Sequence, residues 1–178
     1  MPVALSNLVR TAGAQNTPGL KIFHRFALYA DATTIPAPIG SPANFAEVVE
    51  VSADFVFATG KQWFKMEGIL NKNMVDSNFS EQLDAAGVDN LFTIVVENTP
   101  TNRGFIQQYK SANLLMLIED QQGNLILLGQ TGLPARILST SIKSGAAQPD
   151  EKNITLTVGS VGAIAPFYTG ALQDTPAV

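Results

Sequence analysis

Apolar and polar residues alternate over many short stretches of this chain, and that alternation predicts strands. Over Leu20–Tyr29, the residues Leu20, Ile22, Phe26 and Leu28 share one face at period two, with His24 among them. From Glu47 to Ala58, Val49, Val51, Ala53, Phe55 and Phe57 oppose Glu50, Ser52 and Asp54. From Lys61 to Leu70, Phe64, Met66 and Leu70 are expected inside, opposite Lys61, Lys65 and Glu67. Joined by Thr59-Gly60, these two segments predict a long antiparallel hairpin. Trp63 falls on its charged face and reads as a contact residue. Leu91–Glu97 predicts a further strand with Phe92, Ile94 and Val96 inward, and Ala135–Lys143 and Asn153–Gly159 predict the last two.

One hairpin has a different pattern. Asn113–Glu119 and Asn124–Leu128 flank Asp120-Gln121-Gln122-Gly123, where Gly123 supplies a positive φ. Leu114 through Ile118 and Leu125 through Leu128 are apolar on both faces, so both faces need cover. A domain of this size is expected to cover them only partly, which predicts an oligomer held in part by backbone pairing.

Helix signals are few. Asn78-Phe79-Ser80-Glu81 fits a capping box, with Asn78 as N-cap, and predicts a short helix to Ala86 stopped by Gly87. Pro100-Thr101 precedes a predicted helix over Asn102–Ser111, with Phe105, Ile106 and Tyr109 on one side. Residues 1–19 read as an N-terminal arm that ends in the turn signal Asn16-Thr17-Pro18-Gly19. Pro36, Pro38, Gly40 and Pro42 make 31–44 an extended loop that cannot pair inside a sheet. Gly162–Val178 reads as weakly structured, with the aromatic pair Phe167-Tyr168 and a terminal tail over 171–178. Seven or eight strands and one or two short helices predict a mainly β fold. The expected architecture is a β-sandwich or partly closed barrel, a single domain over 20–170.

Composition sharpens this picture. Charged residues make up 15% of the 178 positions and hydrophobic ones 46%, against a usual charged share of about 25%. So lightly charged a surface protects poorly against self-association, which suits a lattice or ring more than a free monomer. The net charge is −4, and the eleven Lys and Arg residues form no run, which argues against a dedicated nucleic-acid face. There is no cysteine, hence no disulfide and no thiolate metal site. Met1–Asn16 lacks the apolar core of a signal peptide, and no stretch matches a membrane span. The expectation is a soluble protein made in a cytoplasm, with no membrane partner.

Candidate chemistry is sparse, and no catalytic, cofactor or metal residue is assigned. His24 is the only histidine; placed mid-strand on an apolar face, it reads as structural. Asp76, Glu81, Asp84 and Asp89 could offer oxygens to a hard cation, but their spacing matches no calcium loop and a solvated acidic segment is favoured. No phosphate-binding glycine pattern occurs. Trp63, Phe167 and Tyr168 could form a ligand platform, or sit at a protein–protein interface, the reading preferred here. Leu5, Leu8 and Val9 in the arm, with Ile35 and Ile39 in the proline loop, are expected to dock on a neighbouring subunit. Both segments have too few large apolar residues to order alone.

The order of arm, proline loop, hairpin, late helix and glycine-punctuated strands resembles the tail-tube (major tail) proteins of bacteriophages. Trp63-Phe64-Lys65-Met66-Glu67-Gly68 through Tyr168-Thr169-Gly170 is similar to virion proteins of phages that infect Bacteroidetes bacteria. The family has no invariant catalytic signature, so no functional residue is carried over. The resemblance implies a non-enzymatic, ring-forming virion subunit made in the host cytoplasm. Its partners would be copies of itself in rings or tubes and other virion proteins, and it would line an often acidic channel through which DNA passes without specific binding. The same traits suit a virion decoration or head-tail connector protein. A β-sandwich module that binds carbohydrate or a cell surface is the alternative from another class.

Overall fold

The computed structural model describes residues 3–4, 17–79, 87–145 and 151–177. Twelve strands are described: β1 (Phe23–Leu28), β2 (Ala32–Thr34), β3 (Glu50–Val51), β4 (Val56–Phe57), β5 (Phe64–Glu67), β6 (Met74–Phe79), β7 (Val88–Glu97), β8 (Leu114–Glu119), β9 (Leu125–Leu128), β10 (Arg136–Ile142), β11 (Asn153–Gly162) and β12 (Phe167–Tyr168). Two short α-helices join them, α1 (Phe45–Val48) and α2 (Pro100–Tyr109). The fold is mainly β. A six-stranded sheet runs β3-β12-β9-β8-β1-β5, a four-stranded sheet runs β10-β11-β7-β6, and β2 pairs with β4 in a small third sheet. Neither large sheet closes on itself among the described residues, so the layers form a sandwich and not a barrel.

β8 explains the layering. All of Leu114–Ile118 are at most 2% exposed. Alternation sends Leu114, Met116 and Ile118 into the core between the two large sheets, with Phe92, Ile94, Ile154 and Leu156. Leu115 and Leu117 enter a second core on the opposite face, with Phe55, Phe57, Trp63 and Tyr168. The doubly apolar hairpin is therefore covered on both sides by its own chain. This overturns the expectation that other copies cover it, and with it that motive for an oligomer. The turn forms as expected: Gly123 has φ +90, and the Asp120 side chain accepts from the Gln122 and Asn124 amides at 2.8 Å.

The long hairpin over 47–70 does not form. β3 pairs in parallel with β12, β4 pairs with β2, and β5 pairs with β1. The cause is the second core. Phe55 and Phe57 each meet Trp63 edge-on, with centroids 5.0 and 5.2 Å apart, so this segment folds over the sheet face rather than extending from it. Phe64 and Met66 face the first core as expected, since they pair with Phe26 and His24. β5 is an edge strand, however, so Phe64 remains 44% exposed, and Leu70 beyond it is 56% exposed.

The capping box occurs elsewhere than expected. Asn78 and Phe79 lie in β6, paired with Asp89 and Val88; residues 80–86 lie outside the described residues. A near-identical tetrapeptide, Asn44-Phe45-Ala46-Glu47, caps α1 instead. The Asn44 side chain accepts from the Glu47 amide at 3.1 Å, and the Glu47 carboxylate accepts from the Ala43 amide at 2.7 Å. α2 begins two residues before its predicted start. Thr99 accepts from the Asn102 amide at 3.2 Å, and Pro100 takes the first turn, where no amide partner is needed.

The C-terminal segment is ordered, against expectation. Trp63 donates its amide to the Gln173 carbonyl, and Lys61 and Gly60 bond to Ala177. Arg25 on β1 forms a two-pronged pair with Asp174, with Nε and Nη2 both at 2.9 Å from carboxylate oxygens. These contacts lay the segment across the second core. Replacing Asp174 with Ala leaves a mostly buried guanidinium short of a partner. It is expected to lower stability by about 1–2 kcal/mol, between exposed and buried charge-assisted bonds. Urea unfolding of the variant checks this.

Candidate assembly surface

The expected interface residues separate into four groups. Trp63 and Tyr168 are 1% and 2% exposed and belong to the second core. The Tyr168 hydroxyl donates to the Ala171 carbonyl at 2.7 Å, and burial pushes its pKa up. Alternation puts Trp63 on a charged face because Lys61 and Lys65 share its parity, but the third layer covers that face where Trp63 sits. Ile35 and Ile39 also dock on their own domain. Ile35 packs on the second core, its carbonyl accepts from the Thr131 hydroxyl at 3.2 Å, and the Ile39 amide donates to Glu50 at 3.3 Å. Pro36 beside them is buried. The proline loop thus docks at home: its first residues, Ala32–Thr34, form β2 and pair with β4, against the expectation of an unpaired extended loop. Phe167 stays open at 42% exposure. Leu5, Leu8 and Val9 lie outside the described residues.

His24 is fully buried between the large sheets. Its ring meets Phe92 edge-on with centroids 5.0 Å apart, and Nδ1 accepts from the Glu119 amide at 3.4 Å. Burial lowers its pKa to about 4, with the Glu119 charge pulling weakly the other way. A neutral ring without access to solvent is placed for packing, not for proton transfer to a substrate. Asp76 and Asp89 lie on neighbouring strands β6 and β7; Glu81 and Asp84 fall outside the described residues. Among the described residues, no three His, Asp or Glu gather to hold a metal ion. No helix among them is long and apolar enough to cross a membrane.

What the surface does carry is apolar residues on sheet margins. Met74 and Phe79 on β6 are 53% and 66% exposed; Leu138 and Ile142 on β10 are 60% and 47% exposed. Phe23 and Phe64 flank the β1–β5 margin at 47% and 44%. Across the four-stranded sheet, the register aligns Thr93, Thr157 and Ser139 in one row and Val95, Thr155 and Ser141 in the next. These two rows are uncharged, while Asp76, Asp89, Glu97 and Arg136 share their parity in the flanking rows. Sequence reasoning missed Met74, Leu138 and Ile164 because exposure at a margin depends on which strand is outermost. The nearest local signal for Ile164 is the run Gly159–Gln173, which has no charged residue.

Comparison with known protein families, with curated proteins and with solved structures finds no match to this chain.

Proposed function

We propose that this protein is a non-catalytic structural subunit that assembles with copies of itself, and that the assembly is a ring or tube of the phage tail-tube kind. One observation carries the reading: the margins of both large sheets bear exposed apolar side chains on strands β5, β6 and β10. Open strand margins with apolar side chains are templates for pairing with another chain, and a free monomer usually blunts them. Low charge and an acidic balance fit the same role. The uncharged middle rows of the four-stranded sheet's outer face, flanked by Asp76, Asp89 and Glu97, suit a wall past which DNA slides without binding. The virion identity rests on the resemblance in layout; a decoration or connector protein is the near alternative. The binding-module reading loses the aromatic platform it was drawn from, because Trp63 and Tyr168 are core residues.

Size-exclusion chromatography with negative-stain microscopy tests the proposal. Rings, tubes or discrete oligomers are expected, and removing residues 1–15 should weaken them while leaving thermal unfolding of the domain unchanged. Unaltered assembly after the deletion would reduce the arm to a passive tail. A deletion that unfolds the domain would make the arm part of the core.

A further inference from the structure

The four outer margins of the two large sheets are protected unequally. β3 is two residues long. β5 is four residues long and carries Lys65 and Glu67. β10 is broken by a register shift between Ile137 and Ser139. Short length, charge and bulges are the usual devices that stop a margin from pairing with another chain. β6 is the least protected: it carries one charge, Asp76, but it is six residues long, pairs with β7 in unbroken register, and contains neither Lys nor Pro.

Beside β6 lies an apolar groove of about 420 Å³. Val49, Met74, Val75, Ile126, Ile164 and Phe167 give it its apolar lining, and no charged residue lines it. Among the described residues the groove is open: Met74, Ile164 and Phe167 are 53%, 41% and 42% exposed. Gly19 and Leu20 stand at its lip, where the N-terminal arm joins the domain.

We propose that β6 and this groove receive residues 3–9 of a second copy's arm as an added strand. The inference rests on the assembly reading above and names its contact. Val3-Ala4-Leu5-Ser6-Asn7-Leu8-Val9 has no charged side chain, which matches an uncharged groove. At period two, Val3, Leu5 and Val9 share one face. Seven extended residues span roughly 23 Å and six span roughly 20 Å at ~3.3 Å each, so the block and β6 match in length. Residues 10–16, mostly small and polar, are a tether long enough to cross between copies. Ladder bonds to β6 would supply affinity, and side chains in the groove specificity. Because the arm's root and the receiving groove adjoin on each copy, one-way donation from copy to copy builds a ring or filament.

The absence of cysteine makes the test clean. Full-length Leu5→Cys and Met74→Cys chains are mixed and treated with a short bis-maleimide. A covalent dimer of the two variants is expected. Adding Ile164→Glu to the Met74→Cys chain should reduce it about tenfold or more, equivalent to ~1.4 kcal/mol. A Leu5→Cys/Met74→Cys double variant that crosslinks only within itself would overturn the proposal in favour of the chain's own arm. Oligomers that form without crosslinking would overturn this contact but leave the assembly reading standing. No oligomer and no crosslink would overturn both.

Discussion

Replacing Trp63 with Ala is expected to destabilise the isolated protein by about 3–5 kcal/mol, the range for removing a large ring from a packed core. Trp63 is 1% exposed and meets both Phe55 and Phe57 edge-on. Its loss opens a cavity under the C-terminal segment, whose Gln173 carbonyl bonds to the Trp63 amide. Trp63→Phe should cost less, because the indole nitrogen has no hydrogen-bond partner among the described residues. Phe167→Ala, at a residue 42% exposed, should change stability by no more than about 0.5 kcal/mol. Guanidinium unfolding of the three variants measures these differences. A stable Trp63→Ala protein with impaired association would return Trp63 to the surface.

Acid should destabilise the protein through His24 before its carboxylates matter. The sandwich core accepts only the neutral ring, so the folded chain holds off protonation until about pH 4, against an ordinary 6.5. Between these values the unfolded chain binds more protons than the folded one. Stability is therefore fully present above pH 6.5 and declines as the pH falls toward 4, by about 3 kcal/mol in all. Asp174 acts in a lower window. Its hydrogen bonds to Arg25 hold its carboxyl below the ordinary 3.8, so the stability it adds is lost only as the pH falls through that region. His24→Leu keeps the volume and removes the titration. Urea unfolding at pH 7.5 and pH 4.5 should show a large loss for the parent and a much smaller one for the variant. Equal losses would place His24 in contact with water.

Parity is legible in the sequence, and partnership only where a tight turn joins neighbours, as in the β8–β9 hairpin. The inward positions Phe92, Ile94 and Val96 are at most 3% exposed, and β8 buries on both faces as its pattern requires. Periodicity reports these because it reflects the local backbone. Which strand pairs with which depends on contacts distant in sequence. The Arg25–Asp174 pair spans 149 positions and leaves no local trace. The twin tetrapeptides at 44–47 and 78–81 make the point directly. Both carry the same capping signal, yet Asn78 and Phe79 join a ladder with Asp89 and Val88 while Asn44 caps a helix. A cap contributes about 1 kcal/mol, and a tertiary ladder with packing outweighs it.

The candidate surface was legible to the same degree. Phe167 stays exposed at the position where the sequence places an interface aromatic. Trp63 and Tyr168 were misplaced because a third layer covers the sheet where they lie, and no periodicity encodes a third layer. Met74 and Ile164 became visible only once the strand order fixed β6 as a margin.

Sedimentation velocity of the full-length protein over a rising concentration series tests the central claim most directly. The expected result is a shift from monomer to discrete larger species, displaced to higher concentration by Ile164→Glu. A single monomeric boundary at every concentration, in parent and variant alike, would contradict it.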